Sequence, residues 1–114
     1  MLDQLLDKFN NISIPVSTNV IIPEDTSVPG CEEKHECFIP EKLTIRLNER
    51  VTWTNDDTAA HIITSGTPEN GPDGNFDSSL IMAGGTYDFE FNEKGNYHYF
   101  CMVRPWQTGI IIVK

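Results

Sequence analysis

Cysteine and histidine are the residue types in this chain whose number and spacing could do chemistry. The 114-residue sequence holds three of each: Cys31, Cys37, Cys101, His35, His61 and His98. Because three cysteines cannot all pair, at least one thiol is left free or is used for chemistry. Cys31 and Cys37 flank only five residues, so a disulfide between them is feasible, with two free thiols as the alternative. A disulfide there would indicate an oxidising compartment.

Composition excludes several classes of function. The chain carries 17 acidic and 8 basic side chains, for a net charge of −9. This charge argues against nucleic acid and anionic membrane surfaces as partners, since both are recognised through clustered lysine and arginine. No run approaches the ~18–20 apolar residues of a membrane span. The first residues lack the basic and apolar regions of a signal peptide, which leaves a cytosolic protein or a mature exported form with an added Met1 as alternatives.

The elements that must position these residues are short strands. Apolar residues alternate with polar ones in several segments that proline, glycine and asparagine separate, a pattern typical of an antiparallel β-sandwich or barrel. The predicted strands cover residues 12–14, 19–22, 43–47, 51–55, 61–64, 87–91, 97–101 and 109–113. Residues 1–9 have the spacing of a short amphipathic helix, and residues 65–79 are predicted to form a long loop.

The length fits one domain of ordinary size. We expect residues 1–30 to form an N-terminal extension with the first strand or strands, and residues 31–114 to form the core of the domain.

Two motifs in this order resemble those of the cupredoxins. Val51-Thr52-Trp53-Thr54-Asn55 leads to His61, and Tyr97-His98-Tyr99-Phe100-Cys101 leads to Pro105 and Gly109. Over about residues 38–114 the chain resembles small cupredoxins of the plastocyanin and amicyanin type. Its Gly71-Pro72-Asp73-Gly74 segment and its Cys31–Cys37 loop are most similar to exported cupredoxins of ammonia-oxidising archaea. The resemblance implies a Greek-key β-sandwich of seven or eight strands and one bound copper.

The resemblance also implies a ligand set. Type 1 copper takes two imidazoles, one thiolate and a weak axial ligand, and by resemblance Cys101 is the thiolate and His61 the first imidazole. The family pattern C-x-x-H-P-x-M departs here at two positions, where Arg104 replaces the second histidine and Gln107 replaces the methionine. The amide oxygen of Gln107 can bind copper. Arg104 cannot, because a guanidinium stays protonated and offers no lone pair.

The remaining ligand is left open by the sequence. His98 lies three residues before Cys101 on one predicted strand, so it points to the opposite face and outward. His35 lies inside the Cys31–Cys37 loop, which could cover the copper end of the sandwich and offer His35 or a carboxylate from Glu33 or Glu36. Water at a vacant position is the other alternative.

The function depends on whether the remaining ligand position is closed by a protein side chain or left open. A closed site passes electrons between redox partner proteins, and the acidic charge of the chain favours basic ones. An open position would let a small copper oxidoreductase act on nitric oxide or nitrite, with Arg104 at the mouth attracting an anion. A copper carrier, or a module that has lost copper, is the third alternative. In the family the ligand loop, here with Pro105 and Trp106, contributes to an apolar patch that partners approach.

Overall fold

The computed structural model describes residues 18–114, which form two β-sheets packed face to face. The strands are β1 (Asn19–Ile22), β2 (Lys42–Ile45), β3 (Arg50–Asn55), β4 (His61–Thr67), β5 (Gly71–Ile81), β6 (Thr86–Glu90), β7 (Gly95–Cys101) and β8 (Arg104–Val113). One 3-10 turn, Cys31–Lys34, is the helical element of this part of the chain. The predicted all-β sandwich of seven or eight strands is confirmed. The predicted helix over residues 1–9 and strand over residues 12–14 lie outside the described residues.

The sheets are mixed rather than purely antiparallel. One sheet has the order β1-β3-β6 and the other the order β2-β8-β7-β4-β5. β1 runs parallel to β3 and β2 runs parallel to β8, whereas the remaining neighbours are antiparallel. Side chains alternate between the two faces of a strand in either direction, so the hydrophobic pattern alone cannot reveal the orientation of a pair. The predicted antiparallel arrangement is therefore corrected at these two pairs.

Aromatic side chains from both sheets fill the core. Trp53 of β3 and Tyr99 of β7 are buried, and their rings meet edge to face with centroids 5.4 Å apart. The ring of Tyr99 lies so close to the backbone of Gly109 that a Cβ atom at that position would overlap the ring. Burying each large apolar side chain stabilises the fold by about 1.5–3 kcal/mol. The Trp53–Tyr99 contact joins the two sheets, whereas Tyr99 and Gly109 are cross-strand neighbours within the larger sheet.

The predicted loop over residues 65–79 is wrong, because most of it is strand. β4 continues to Thr67, and β5 then runs from Gly71 to Ile81 at the edge of the larger sheet. An edge strand tolerates polar residues, and a proline such as Pro72, on the side that has no neighbour. Phe76 is the buried anchor of β5, and its ring centroid lies 5.5 Å from that of Trp53.

The topology brings three strand ends together. β7 lies between β4 and β8 and is antiparallel to both. The first residue of β4, His61, the last residue of β7, Cys101, and the first residue of β8, Arg104, therefore lie at one end of the sheet. This geometry follows from the strand order alone, and it places the predicted site residues side by side.

A disulfide anchors the chain between β1 and β2. Cys31 and Cys37 are bonded, with Cα atoms 4.9 Å apart, and Cys101 remains the free cysteine. Just beyond this loop Ile39 exchanges backbone hydrogen bonds with Ile21 of β1. Among the described residues, no helix has the length and apolar character that crossing a bilayer requires.

Candidate metal centre

His61 and Cys101 form a buried pair at the shared strand end. Both residues are 0% exposed, and the Sγ atom of Cys101 lies 3.8 Å from Nδ1 of His61. Metal–nitrogen and metal–sulfur bonds of about 2.0 and about 2.3 Å allow a single ion to contact two donors at such a separation. The structure therefore brings together the two residues that the motifs indicated as metal ligands.

Asp57 fixes which nitrogen of His61 is free to bind a metal. Its Oδ2 atom lies 2.8 Å from Nε2 of His61, and both side chains are buried. A carboxylate accepts hydrogen bonds only, so Nε2 carries a proton, and Nδ1, which faces Cys101, is the nitrogen that can offer a lone pair to a metal. A carboxylate behind a ligand histidine also holds the ring and raises its basicity. This role of Asp57 was not predicted from the sequence, because residue types alone do not show that the carboxylate is buried.

The Asp57 side chain is held on all sides. It is 3% exposed, and its Oδ1 atom accepts the backbone N–H groups of Asp25 at 3.0 Å and Thr58 at 2.9 Å. Hydrogen bonds of this kind favour the charged form of a carboxyl group. Burial raises the pKa of Asp57, but the hydrogen bonds from His61, Asp25 and Thr58 outweigh burial and lower the pKa below its ordinary value.

Asn55 shapes the loop that joins β3 to β4. Its Oδ1 atom accepts the N–H of Asp57 at 2.9 Å, and its Nδ2 atom donates to the carbonyls of Ala59 and Ile81. The buried amide thus bonds main-chain groups of the loop that have no partner strand, as asparagine side chains do in turns. The asparagine of the Trp53-Thr54-Asn55 motif therefore positions the carboxylate that positions His61.

Gln107 supplies a third donor atom. β8 points alternate residues inward, and Gln107 is 0% exposed at the position where this strand enters the core. Its Nε2 atom donates to the carbonyl of Thr26, and its Oε1 atom lies 3.0 Å from Nδ1 of His61. Because a carbonyl can only accept, the amide nitrogen must face Thr26. The amide oxygen is thereby directed at His61. Gln107 occupies the position that methionine has in the C-x-x-H-P-x-M pattern.

The three donors fit a metal cation. With Nε2 protonated, Nδ1 of His61 is an acceptor, and it faces the Oε1 of Gln107, also an acceptor, at 3.0 Å. Two acceptors at this distance need a positive species between them, either a proton on Nδ1 or a metal. The thiolate is a soft donor and the imidazole nitrogen a borderline one, and both suit copper, while the harder amide oxygen can serve as the weak axial ligand.

Protons take part in the metal-free site. Burial lowers the pKa of His61, but its hydrogen bonds with Cys101 and Asp57 outweigh burial and raise the pKa above its ordinary value. Burial raises the pKa of Cys101, but hydrogen bonds from His61 and from the backbone at Ile62 and Val103 outweigh it and lower the pKa. The metal-free pair is therefore biased toward imidazolium and thiolate, and a metal must displace the imidazolium proton.

Arg104 lies beside this site but offers no ligand atom. The side chain is half-buried; its Nη1 atom donates to the carbonyl of Ala60 at 2.6 Å and its Nε atom to the carbonyl of Ser27 at 3.2 Å. Ala60 directly precedes His61, so the guanidinium lies next to the His61–Cys101 pair. A protonated guanidinium cannot bind a metal ion, and Arg104 instead ties three segments of the chain together.

A short segment ahead of the disulfide forms one wall of the site. We call residues 23–29 the site strap; Asp25 at φ 68° takes the left-handed conformation that aspartate tolerates. Three consecutive strap residues each contact a site side chain: Asp25 N–H donates to Asp57, the Thr26 carbonyl accepts from Gln107, and the Ser27 carbonyl accepts from Arg104. Sequence reasoning missed the strap, because main-chain contacts leave no signature in the residue types.

His35 lies elsewhere. Its Nδ1 atom is 3.1 Å from Oε1 of Glu41, the side chain is 75% exposed, and it lines a cleft with His98 and Tyr99. Among the described residues its hydrogen bond and ion pair are with Glu41, so the structure does not bring His35 to the His61–Cys101 pair. His98 is exposed on the outward face of β7, as the strand spacing predicted.

The turn between Cys101 and Arg104 carries exposed apolar side chains. Met102 is 44% exposed and Val103 54%, while the backbone N–H of Met102 donates to the carbonyl of Ile62 and fixes the turn on β4. Pro105 is exposed, whereas Trp106 packs against the core. The predicted near-site residues are therefore divided between a surface at the metal end and the interior behind it.

Comparison with known proteins gives consistent results. Residues 26–114 match the family described as copper binding proteins of the plastocyanin/azurin family. The chain is 30% identical over 93 residues to amicyanin from Paracoccus versutus, covering 82% of this chain and 68% of amicyanin.

Solved structures share the fold. A novel purple cupredoxin from Nitrosopumilus maritimus superimposes with a TM-score of 0.75 at 31% identity, over 85% of this chain and 99% of that one. The reduced Cu(I) form of a point mutant of amicyanin superimposes with a TM-score of 0.66 at 19% identity, over 87% of this chain and 83% of that one. At that identity the second match supports the fold alone.

Proposed function

The chain belongs to the plastocyanin/azurin family of copper binding proteins, and from this premise we propose that it is a one-electron carrier whose copper is held by His61, Cys101 and Gln107. The observation that supports the proposal is the convergence of His61 Nδ1, Cys101 Sγ and Gln107 Oε1 in one buried space. The bound copper supplies the Cu(I)/Cu(II) couple. The residues around it hold and orient the donor atoms.

These residues hold the donors in one arrangement. Asp57 orients the imidazole of His61, and Thr26 orients the amide of Gln107. The thiolate of Cys101 suits Cu(I) and couples strongly to Cu(II), so one donor set serves both oxidation states. Because the donors are buried and fixed, little has to move when an electron arrives or leaves.

Addition of Cu(II) to the metal-free protein tests this function. We expect a strong visible absorption from thiolate-to-copper charge transfer that bleaches with a reductant and returns on reoxidation without loss of copper. Cys101→Ser should abolish the band, whereas the double variant of Cys31 and Cys37 to serine should keep it. A wild-type protein that stays colourless and metal-free would contradict the proposal.

Partner proteins would approach the turn that carries Met102 and Val103. Exposed apolar residues beside a buried redox site suit brief docking, and the net charge of −9 favours basic redox partners. The Cys31–Cys37 disulfide supports a location in an exported, oxidising compartment.

A second candidate function is copper chemistry on a small molecule. It is favoured by the small number of donor atoms. The described residues bring three of them together, and Arg104 stands where the family pattern has a second imidazole, so one coordination position is left for a small molecule. An anion or nitric oxide would take the open position, as in metal sites that keep one ligand exchangeable. Azide or nitrite should then shift the visible spectrum, and an unaltered spectrum would leave electron transfer as the function.

A further inference from the structure

Arg104 brings a fixed positive charge to the wall of the metal site. Its guanidinium donates to two main-chain carbonyls, those of Ala60 at 2.6 Å and Ser27 at 3.2 Å. Within residues 18–114 it forms no ion pair with a carboxylate. Carbonyl dipoles hold the cation in place but leave its net charge, and the buried carboxylate of Asp57 is bonded to His61 and not to Arg104.

This charge acts on the ligands. Ala60 precedes His61, and Ser27 follows Thr26, whose carbonyl accepts from Gln107. The guanidinium is hydrogen-bonded to the residue that directly precedes His61. A positive charge at this place repels any cation bound at Nδ1 of His61, and more strongly the higher the charge of that cation.

The charge of the donor set makes this effect selective. A thiolate, a neutral imidazole and an amide oxygen carry one negative charge in total, and the charges of Asp57 and Arg104 beside them sum to zero. Cu(I) therefore leaves the centre neutral and Cu(II) or Zn(II) leaves it at +1, whereas without the Arg104 charge the centre is neutral with the divalent ion. We propose that Arg104 is a specificity-determining residue that makes this site select monovalent Cu(I) over Cu(II) and Zn(II). The inference rests on the proposed copper function and says which state of the metal this chain favours.

A purely structural role for Arg104 predicts a different result. Arginine bridges two carbonyls through its planar fork, which lysine cannot reproduce although it keeps the charge. Arg104→Lys therefore weakens the bridge and retains the field, whereas Arg104→Gln and Arg104→Met remove the field. Comparing the charged variant with the neutral ones separates charge from bridging.

The test uses the copper protein with Arg46→Gln as a matched control. Arg46 is exposed and follows Ile45, which pairs with Val113 at the far end of β8, about 30 Å along the strand from Arg104 at ~3.3 Å per residue. Reduction potentials come from anaerobic redox titration of the visible band. Affinities come from competition of Cu(I) with a Cu(I)-specific chelator and of Zn(II) with a zinc chelator.

We expect Arg104→Gln to lower the ratio of Cu(I) to Cu(II) affinity by about tenfold or more, which is a fall of ~59 mV in potential for one electron. Zn(II) affinity should rise relative to Cu(I) affinity. Arg104→Lys and Arg46→Gln should stay within about threefold of wild type.

Two results would overturn the inference. Neutral variants with a wild-type affinity ratio would show that the charge is irrelevant, and a shift as large in Arg104→Lys as in Arg104→Gln would assign the effect to bridging. If Arg104→Gln does not fold, Arg104→Met decides by the same comparison. Wild-type protein that binds neither Cu(I) nor Cu(II) contradicts the proposed function itself, which is a separate outcome.

Discussion

Oδ2 of Asp57 lies 2.8 Å from Nε2 of His61, and this buried pair determines which imidazole nitrogen faces Cys101. The carboxylate comes from the same loop as the histidine, four residues earlier. The loop that ends at His61 therefore carries both the imidazole and the carboxylate that orients it, and Asn55 holds this loop through the N–H of Asp57.

Asp57→Asn should weaken copper binding by about 10–100-fold, the range found when the carboxylate behind a ligand histidine is lost. The metal-free protein should also lose about 1–3 kcal/mol of unfolding free energy, because a charged partner of a buried hydrogen bond is removed. Chelator competition and urea unfolding measure the two effects. Asp56→Asn, an exposed neighbour, is the control, and equal effects in both variants would contradict the assigned role.

Copper affinity should fall as the pH falls. The pKa of His61 is raised by Cys101 and Asp57, so its proton competes with the metal from a higher pH than for an ordinary histidine. Below that pKa, affinity should drop about tenfold per pH unit, with proton release on binding. Chelator competition between about pH 5 and about pH 8 measures the slope. A flat profile over this range would show that Nδ1 of His61 is not a ligand.

Acid should destabilise the metal-free fold through Asp57. Its pKa is lowered in the folded state, so its contribution is present above the ordinary value of 3.8 and is lost as the pH falls through the lower folded value. Urea unfolding at a series of acidic pH values should show wild type losing more stability than Asp57→Asn. Parallel loss in the two proteins would contradict this account.

Gln107→Met should raise the reduction potential. A thioether is a softer and weaker ligand than an amide oxygen, so it favours Cu(I). The same change removes the donor to the buried carbonyl of Thr26, which should cost about 1–3 kcal/mol of stability. Redox titration and urea unfolding measure these effects. A potential that does not change would mean that Gln107 is not close enough to the copper to matter.

His35→Ala should leave the copper spectrum and affinity unaltered, because the imidazole of His35 contacts Glu41 and not the site. His61→Ala should abolish the spectrum. His98→Ala provides a second surface control, since it removes an exposed imidazole from the same cleft. Loss of colour in His35→Ala would restore His35 as the missing ligand and require the Cys31–Cys37 loop to move.

Gly109→Ala tests the packing behind the site. The new Cβ atom would overlap the Tyr99 ring, and the ring cannot move without disturbing Trp53, so we expect a loss of about 1–3 kcal/mol. Thr108→Ala on the exposed side of the same strand is the control. Thermal unfolding measures both, and an unaffected Gly109→Ala would mean that the Tyr99 ring can move away from β8 at no cost.

The sequence predicted the parts of the fold that side-chain alternation encodes. The strand ending at Asn55 buries every second residue, and the motifs around His61 and Cys101 indicated both donors. β5 was not predicted, because a strand at the edge of the sheet does not need apolar residues on both faces. The role of Asp57 was not predicted, because an acidic residue in a turn is expected to be exposed to solvent until the structure shows that it is buried.

Backbone contacts were beyond sequence reasoning for a different reason. The carbonyls of Thr26 and Ser27 act on Gln107 and Arg104 whatever side chains those strap residues carry. Residue types therefore said nothing about the strap, and only the fold brings it to the site. The same holds for the parallel pairing of β1 with β3, which fixes where the strap begins.

The site strap has a consequence for protein engineering. The segment from Cys101 to Gln107 is short and runs from the last residue of β7 to the fourth residue of β8, so it could be taken for a loop that can be grafted between sandwiches on its own. In this chain its amide and its guanidinium depend on acceptors 81 and 77 positions away, at Thr26 and Ser27. A graft of the loop alone would transfer the thiolate and leave behind what orients the rest, so the transplantable unit is the loop together with the strap.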